Sequence, residues 1–213
     1  MIVTPVTVGP FAENCYLIVD STSRAAVLVD PGDEGERILR EVKRAGAELR
    51  AIWLTHAHLD HIGGIAAVRR RYPDLPIHLH ALDEPLYRAG AKQAAFYGLP
   101  FDPPPATDRG LAEGDVLPVG ALRFSVMHVP GHAPGHVAFH GHGVVFGGDC
   151  LFAGSIGRSD LPFADGAELG RSLERLGSLP GETVVHPGHG PSTTIAAELA
   201  GNPFLTGLAR LSR

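Results

Sequence analysis

A chain of 213 residues, 44% apolar and 19% charged, can bury a full core, which excludes a disordered or fibrous polypeptide. Its formal charge of −5 at neutral pH speaks against a general nucleic-acid binder. Two cysteines cannot frame a disulfide-rich fold and fit a reducing cytoplasm, and neither a secretion signal nor a membrane-spanning apolar run is expected.

Residues 14–20 (NCYLIVD) and 25–30 (AAVLVD) predict a buried hairpin of two short strands. A helix is predicted over 32–46, where Ile38, Leu39 and Val42 recur at helical spacing, acids open the first turn and Gly46 closes it. Residues 49–55 (LRAIWLT) read as an apolar strand that runs into LTHAHLDHIGG, after which 63–73 resume as a helix ending before Pro73. A strand at 75–81 and a helix at 83–98, with Asp83 placed to cap it, form a second round. The proline-rich stretch 99–110 suits neither element and is expected to be a loop, a candidate flap over a site.

Four strands of a second sheet follow at 115–120, 122–130, 135–141 and 143–149. An amphipathic helix at 164–180, a strand into a loop at 182–190 and a last helix at 192–203 complete the series. Helices flanking two separate runs of strands predict two sheets sandwiched between helices, in one domain over residues 1–213.

The segment His56-x-His58-x-Asp60-His61 gathers four donors where a strand turns into a helix. His56 and His58 leave an extended backbone on the same side, and Gly63 and Gly64 let main chain pass close behind. Imidazole and carboxylate suit zinc, iron(II) or manganese(II). Three later junctions each place a donor in the turn after a hydrophobic strand or at its tip: His132, Asp149 and His189.

With these residues in place the chain resembles the metallo-β-lactamase superfamily. GPFAENCYLI, LVDPGD, GDCLF, GSIGRSDLP and HPGHGPST are similar to its glyoxalase II branch, over nearly the whole chain. The resemblance implies an α+β fold, a four-layer αββα sandwich of two mixed sheets flanked by helices. It also implies two divalent ions, zinc first and iron or manganese next. His56, His58 and His132 would hold one ion, Asp60, His61 and His189 the other, and Asp149 would bridge. The implied chemistry is hydrolysis of a hydroxyacylglutathione-type thioester by hydroxide ionised between the ions, and an alkyl thiolate of pKa ~8.5 leaves without a strong acid. The expected partner is a small-molecule thioester, with no nucleic acid and no membrane; the oligomeric state is left open.

Only 24 residues follow His189, too few for the helical substrate domain of that branch. Arg158 is retained as a basic group that can meet a substrate carboxylate, whereas Asp160, standing where an aromatic residue is expected, would repel one. An alternative is a mononuclear iron persulfide dioxygenase using His56, His132 and Asp149, and a lactonase or phosphodiesterase on the same metals is a third. Bland roles suit His78, His80, His128, His140 and His142, in strands or a hairpin turn. His136, His186 and Asp30 are candidates for orienting ligands, Cys150 for a small buried thiol, and Arg69–Arg71 for a solvated helix end.

Overall fold

The computed structural model describes residues 1–209. One six-stranded sheet runs in the order β1 (Ile2–Val8), β2 (Glu13–Val19), β3 (Ala25–Val29), β4 (Glu48–Trp53), β5 (Ile77–His80) and β6 (Arg109–Leu111). It is antiparallel up to β3 and parallel beyond. The second, also mixed, has the order β14 (Thr193–Thr194), β13 (Val184–Pro187), β10 (Val144–Gly148), β9 (Val137–Gly141), β8 (Leu122–His128) and β7 (Val116–Val119). A small hairpin pairs β11 (Leu151–Phe152) with β12 (Ser155–Ile156).

Strand alternation builds three apolar cores and therefore four layers. Cys15, Leu17 and Val19 of β2 face a helical layer that includes α1 (Gly35–Arg44), α2 (Leu59–Ile62) and α3 (Ile65–Arg71). Tyr16 and Ile18 of the same strand face the other sheet. Both faces are covered, which is why 14–20 reads as one apolar run rather than an alternating one. Between the sheets Trp53 packs against Phe124 and Phe139, with ring centroids 5.8 and 5.2 Å apart. On the outer face of the second sheet, Ala138 and Val145 meet Leu169, Leu173 and Leu176 of α6 (Gly166–Gly177) and Ile195 of α7 (Ile195–Gly201). Asp165 caps α6 by accepting from the Ala167 and Glu168 amides.

Several elements differ from the sequence reading, among them β6, which takes residues 109 and 110 from the loop expected over 99–110. Strand β1 was not part of that reading; it carries Pro5 and is an edge strand, where a missing N–H costs no ladder bond. The helix expected over 83–98 is divided into a 3₁₀ turn at Ala81–Asp83, α4 (Glu84–Arg88) and α5 (Gly90–Tyr97). The break falls at Ala89; Gly90, which opens α5, has no room for a Cβ, which would stand 2.5 Å from the Phe101 ring. Asp83 makes no cap bond to α4. Its carboxylate instead accepts from the amides of Ala57 (3.0 Å) and Gly135 (2.5 Å) and so ties the histidine turn to the loop after β8. The 99–108 segment is a loop, pinned to the helical layer through Phe101, through Pro105 O accepting from Tyr87 and through Asp108 accepting from Arg69. Among the described residues no helix is long and apolar enough to cross a membrane.

Asp83→Ala leaves two buried amides without acceptors and is expected to lower unfolding free energy by about 3 kcal/mol. Urea unfolding of the metal-free variant checks this; a midpoint equal to that of the parent protein would remove Asp83 as a tie.

Candidate metal centre

Both sheets deliver side chains to one edge of the sandwich. Strand β4 runs out at Trp53 into Leu54-Thr55-His56-Ala57-His58, and α2 then carries Asp60 and His61. His132 comes from the β8–β9 loop, Asp149 follows β10 and His189 follows β13. All seven predicted ligands converge. The ligand atoms of His56, His58 and His132 lie within 4.8 Å of one another, as do those of Asp60, His61 and His189. Asp149 faces both groups: Oδ2 is 3.5 Å from His132 Nε2 and 3.4 Å from His189 Nε2, and Oδ1 is 3.4 Å from His61 Nε2.

Four of the rings are oriented from behind. His56 Nδ1 meets Thr55 Oγ1 at 3.0 Å, and that hydroxyl donates to Asp30 Oδ2 at 2.6 Å. His61 Nδ1 meets Asp30 Oδ2 at 3.0 Å, His132 Nδ1 meets the Arg158 carbonyl at 2.9 Å, and His189 Nδ1 meets the Phe11 carbonyl at 3.1 Å. Each acceptor holds a proton on Nδ1 and turns Nε2 inward. His58 is reversed, its Nδ1 lying 2.9 Å from His132 Nε2.

Nitrogen and carboxylate atoms held this close are costly unless a proton or a cation lies between them. His56 Nε2, His61 Nε2 and Asp149 Oδ1 are buried with no hydrogen-bond partner. A methyl on Gly188 would stand 2.1 Å from Asp149 Oδ1, so a larger residue would fill the space the donors share. Nitrogen and oxygen donors in two bridged groups fit two divalent cations, and the residues present suit that load.

The remaining candidates sort by contact. Asp30 accepts from Thr55 N (2.7 Å), Thr55 Oγ1 and His61, and so orients the site. His136 Nε2 accepts from the amide of Asp149 at 3.0 Å and its ring stacks on His56. His186 does not reach a ligand; it pairs with Ser192 Oγ and stacks on Phe146. His80 and His128 stack on each other, and Cys150 is buried as a free thiol. Arg158 touches the ligands only through its carbonyl, while its guanidinium forks onto Asp160.

Glu13 was passed over in the sequence. It is 1% exposed, neither carboxyl oxygen has a hydrogen-bond partner, and Oε1 lies 3.9 Å from His61 Nδ1. Burial, joined by the charges of Asp30, Asp60 and Asp149 against an opposing pull from His61, drives its pKa well above the carboxylate range. Its sequence signal is one acid opening an otherwise uncharged, fully buried run, ENCYLIV.

Charge divides the histidines. Burial, with neighbouring rings adding to it, holds His56 well below its ordinary pKa and His58 down at about 3, so both are neutral donors. Burial also opposes the charged form of His189, but Asp149 and Asp60 outweigh it and raise the pKa to about 10. His61 is raised for the same reason. Cations must displace these protons. Metal uptake at neutral pH is therefore expected to release protons, read by calorimetry in buffers of different ionisation enthalpy. In the metal-free protein the His189–carboxylate pairing stabilises the fold fully below its ordinary value of 6.5 and is lost as pH rises through about 10. The Tm of chelated protein should fall across that window; a flat or rising Tm would contradict the assignment.

Comparison with known proteins agrees with this geometry. The family model of the metallo-beta-lactamase superfamily matches residues 8–189. The hydroxyacylglutathione hydrolase GloC of Haemophilus influenzae is 37% identical over 207 residues, 95% of this chain and 96% of its own. The crystal structure of TTHA1623 in a di-iron-bound form superposes with a TM-score of 0.88 at 50% identity, covering 95% of this chain and all of that one. The BLEG-1 B3 metallo-beta-lactamase gives 0.90 at 37% identity, over 97% and 100% of the two chains. The fold, the converging His and Asp donors and these matches together make the chain a member of the metallo-beta-lactamase superfamily, with the metallo-beta-lactamase fold of two mixed sheets and flanking helices.

Proposed function

We propose that the protein is a binuclear metal-dependent hydrolase that cleaves acyl thioesters. The observation that carries this reading is the placement of Asp149 between two complete donor groups, since one carboxylate shared by both calls for two ions close together. Bound there, two divalent ions supply ionised water at neutral pH and positive charge for a developing oxyanion.

The chain's own residues supply position. The Asp30–Thr55 bonds and the Phe11 and Arg158 carbonyls fix the rings before any substrate arrives, so little reorganisation accompanies the reaction. Asp60 Oδ2 lies 3.2 Å from His189 Nε2, which, with His61, holds the Asp60 pKa down against its burial. Asp60 is thus an ionised donor and a poor general acid. A leaving group that needs no proton suits such a site, and a thiolate of pKa ~8.5 meets that requirement better than an amine. The hydroxyacylglutathione hydrolase relative supports the same class. The di-iron form of TTHA1623 supports iron beside zinc as the ion.

Metals per chain are to be counted on the purified protein, followed by assay of S-lactoyl thioesters beside oxygen uptake with glutathione persulfide. Two ions with thioester turnover is the expected result; one iron with oxygen consumption would replace the hydrolase with a dioxygenase. His189→Ala is expected to leave one ion per chain and to reduce thioester turnover about a hundredfold. Retention of two ions and full turnover in that variant would overturn the binuclear mechanism.

A further inference from the structure

The residues around the mouth hang from the same backbone that orients the ligands. His132 leans on the carbonyl of Arg158, and His189 on the carbonyl of Phe11. Tyr97, at the end of α5, stands against Phe11, its ring edge-on at 5.1 Å. The rim is thus built on one side by Arg158 beside His132 and on the other by Phe11 and Tyr97 beside His189.

Charge on this rim is already spent. Arg158 Nε and Nη2 reach the two carboxylate oxygens of Asp160 at 2.8 and 2.9 Å, a fork-on-fork pair between residues two apart in the chain. The Nη1 edge of the guanidinium stays free, but a substrate carboxylate engaging it would lie beside the Asp160 anion, which already neutralises Arg158. On the flank of Asp60 a small cavity is walled by Phe11, Leu59, Leu99 and Phe101, and the charged side chain that joins Asp60 there is Asp33, a second acid. On the far side Phe152 stands edge-on to His189, 5.9 Å between centroids. Apart from Arg158, the side chains named beside Asp60 and His189 are thus aromatic, aliphatic or acidic.

We propose that the mouth selects a thioester whose portion beyond the reacting carbonyl is uncharged, and that Asp160 sets this selectivity by occupying Arg158. The inference rests on the thioester-hydrolase reading and names its substrate class. Glutathione, with two carboxylates and one ammonium, is on this account a poor leaving half, and a neutral thiol is the preferred one. Asp160 acts through Arg158 and is a specificity residue, not a catalytic one.

The test uses the metal-loaded, full-length protein with two S-lactoyl esters that differ in the thiol, glutathione and N-acetylcysteamine. The expected result is a larger kcat/KM for the neutral N-acetylcysteamine ester. In Asp160→Asn the ratio should shift about fivefold toward the glutathione ester, carried by KM rather than kcat and shrinking with added salt. A wild-type preference for the glutathione ester, or a ratio that Asp160→Asn does not move, overturns the selectivity while leaving the hydrolase intact. Turnover of neither ester overturns the thioester reading and this inference with it.

Discussion

Five imidazoles and two carboxylates of this centre crowd together, and His56 Nε2, His61 Nε2 and Asp149 Oδ1 among them are buried without a hydrogen-bond partner. A buried acceptor without a partner costs about 1–3 kcal/mol, and like partial charges pressed together add to that. The rest of the molecule can be understood as what holds such an arrangement in place. Ligands arrive from both sheets: His56, His58, Asp60 and His61 follow β4 of one, while His132, Asp149 and His189 belong to loops of the other. Each donor group draws on both sheets, so the span of donors within each group is set by the apolar layer between the sheets. Trp53, Phe124, Phe139 and Phe146 are all essentially inaccessible there, and bulky, closely packed rings resist compression. Dry packing far from the chemistry fixes the spacing that the chemistry needs.

Packing sets the spacing, and polar ties set the angles. The loop that carries His189 is bound to β2 of the opposite sheet: the Asn14 amide donates to Gly188 O at 2.8 Å, the Asn14 side chain to Gly190 O at 2.8 Å, and the Tyr16 hydroxyl to Pro187 O at 2.7 Å. Asp83 joins the histidine turn to the β8–β9 loop, and Asp30 joins Thr55 to His61. Of these ties, Asp83 joins two segments that supply different donors, while β2 and Asp30 brace donor-bearing segments from elements that supply none. Burial raises the Asp83 pKa to about 6 against the pull of its two amide donors, so this tie costs solvation to maintain. A carboxylate kept there at such a cost favours preorganised ligands over maximal stability.

The parts visible in the sequence are those whose signal is local. The seven donors stand in turns at or just after strand ends, and a donor that punctuates an apolar run can be found from spacing alone. The two-sheet sandwich was legible because β2, β3, β4 and β10 are short apolar runs bounded by turn residues. What stayed hidden depends on distant partners. Strand β1 carries Pro5, which makes sense only once its edge position is known. The division of 83–98 falls at Ala89, beside a Gly90 packed against the Phe101 ring more than ten residues away along the chain. Asp83 looked like a helix cap because capping and tying loops use the same acceptor chemistry. Glu13 offers only one charged letter before an apolar run, and nothing local says that it lies against His61.

Rim and centre share a backbone but not side chains, and this separates specificity from metal binding. The atoms that orient His132 and His189 are carbonyl oxygens of Arg158 and Phe11, which any residue at those positions would provide. The side chains of the same residues point to the mouth and make no ligand contact. Exchange of a rim side chain can therefore alter what enters without moving a donor, so long as the local backbone is kept. By contrast, Gly188 and Gly32 cannot vary in this way, since a Cβ at the first would press on Asp149 Oδ1 and at the second would stand 1.7 Å from the Asp60 carbonyl. Tolerance at the rim beside intolerance directly behind the ligands is what one hydrolytic centre needs in order to serve different substrates on the same fold.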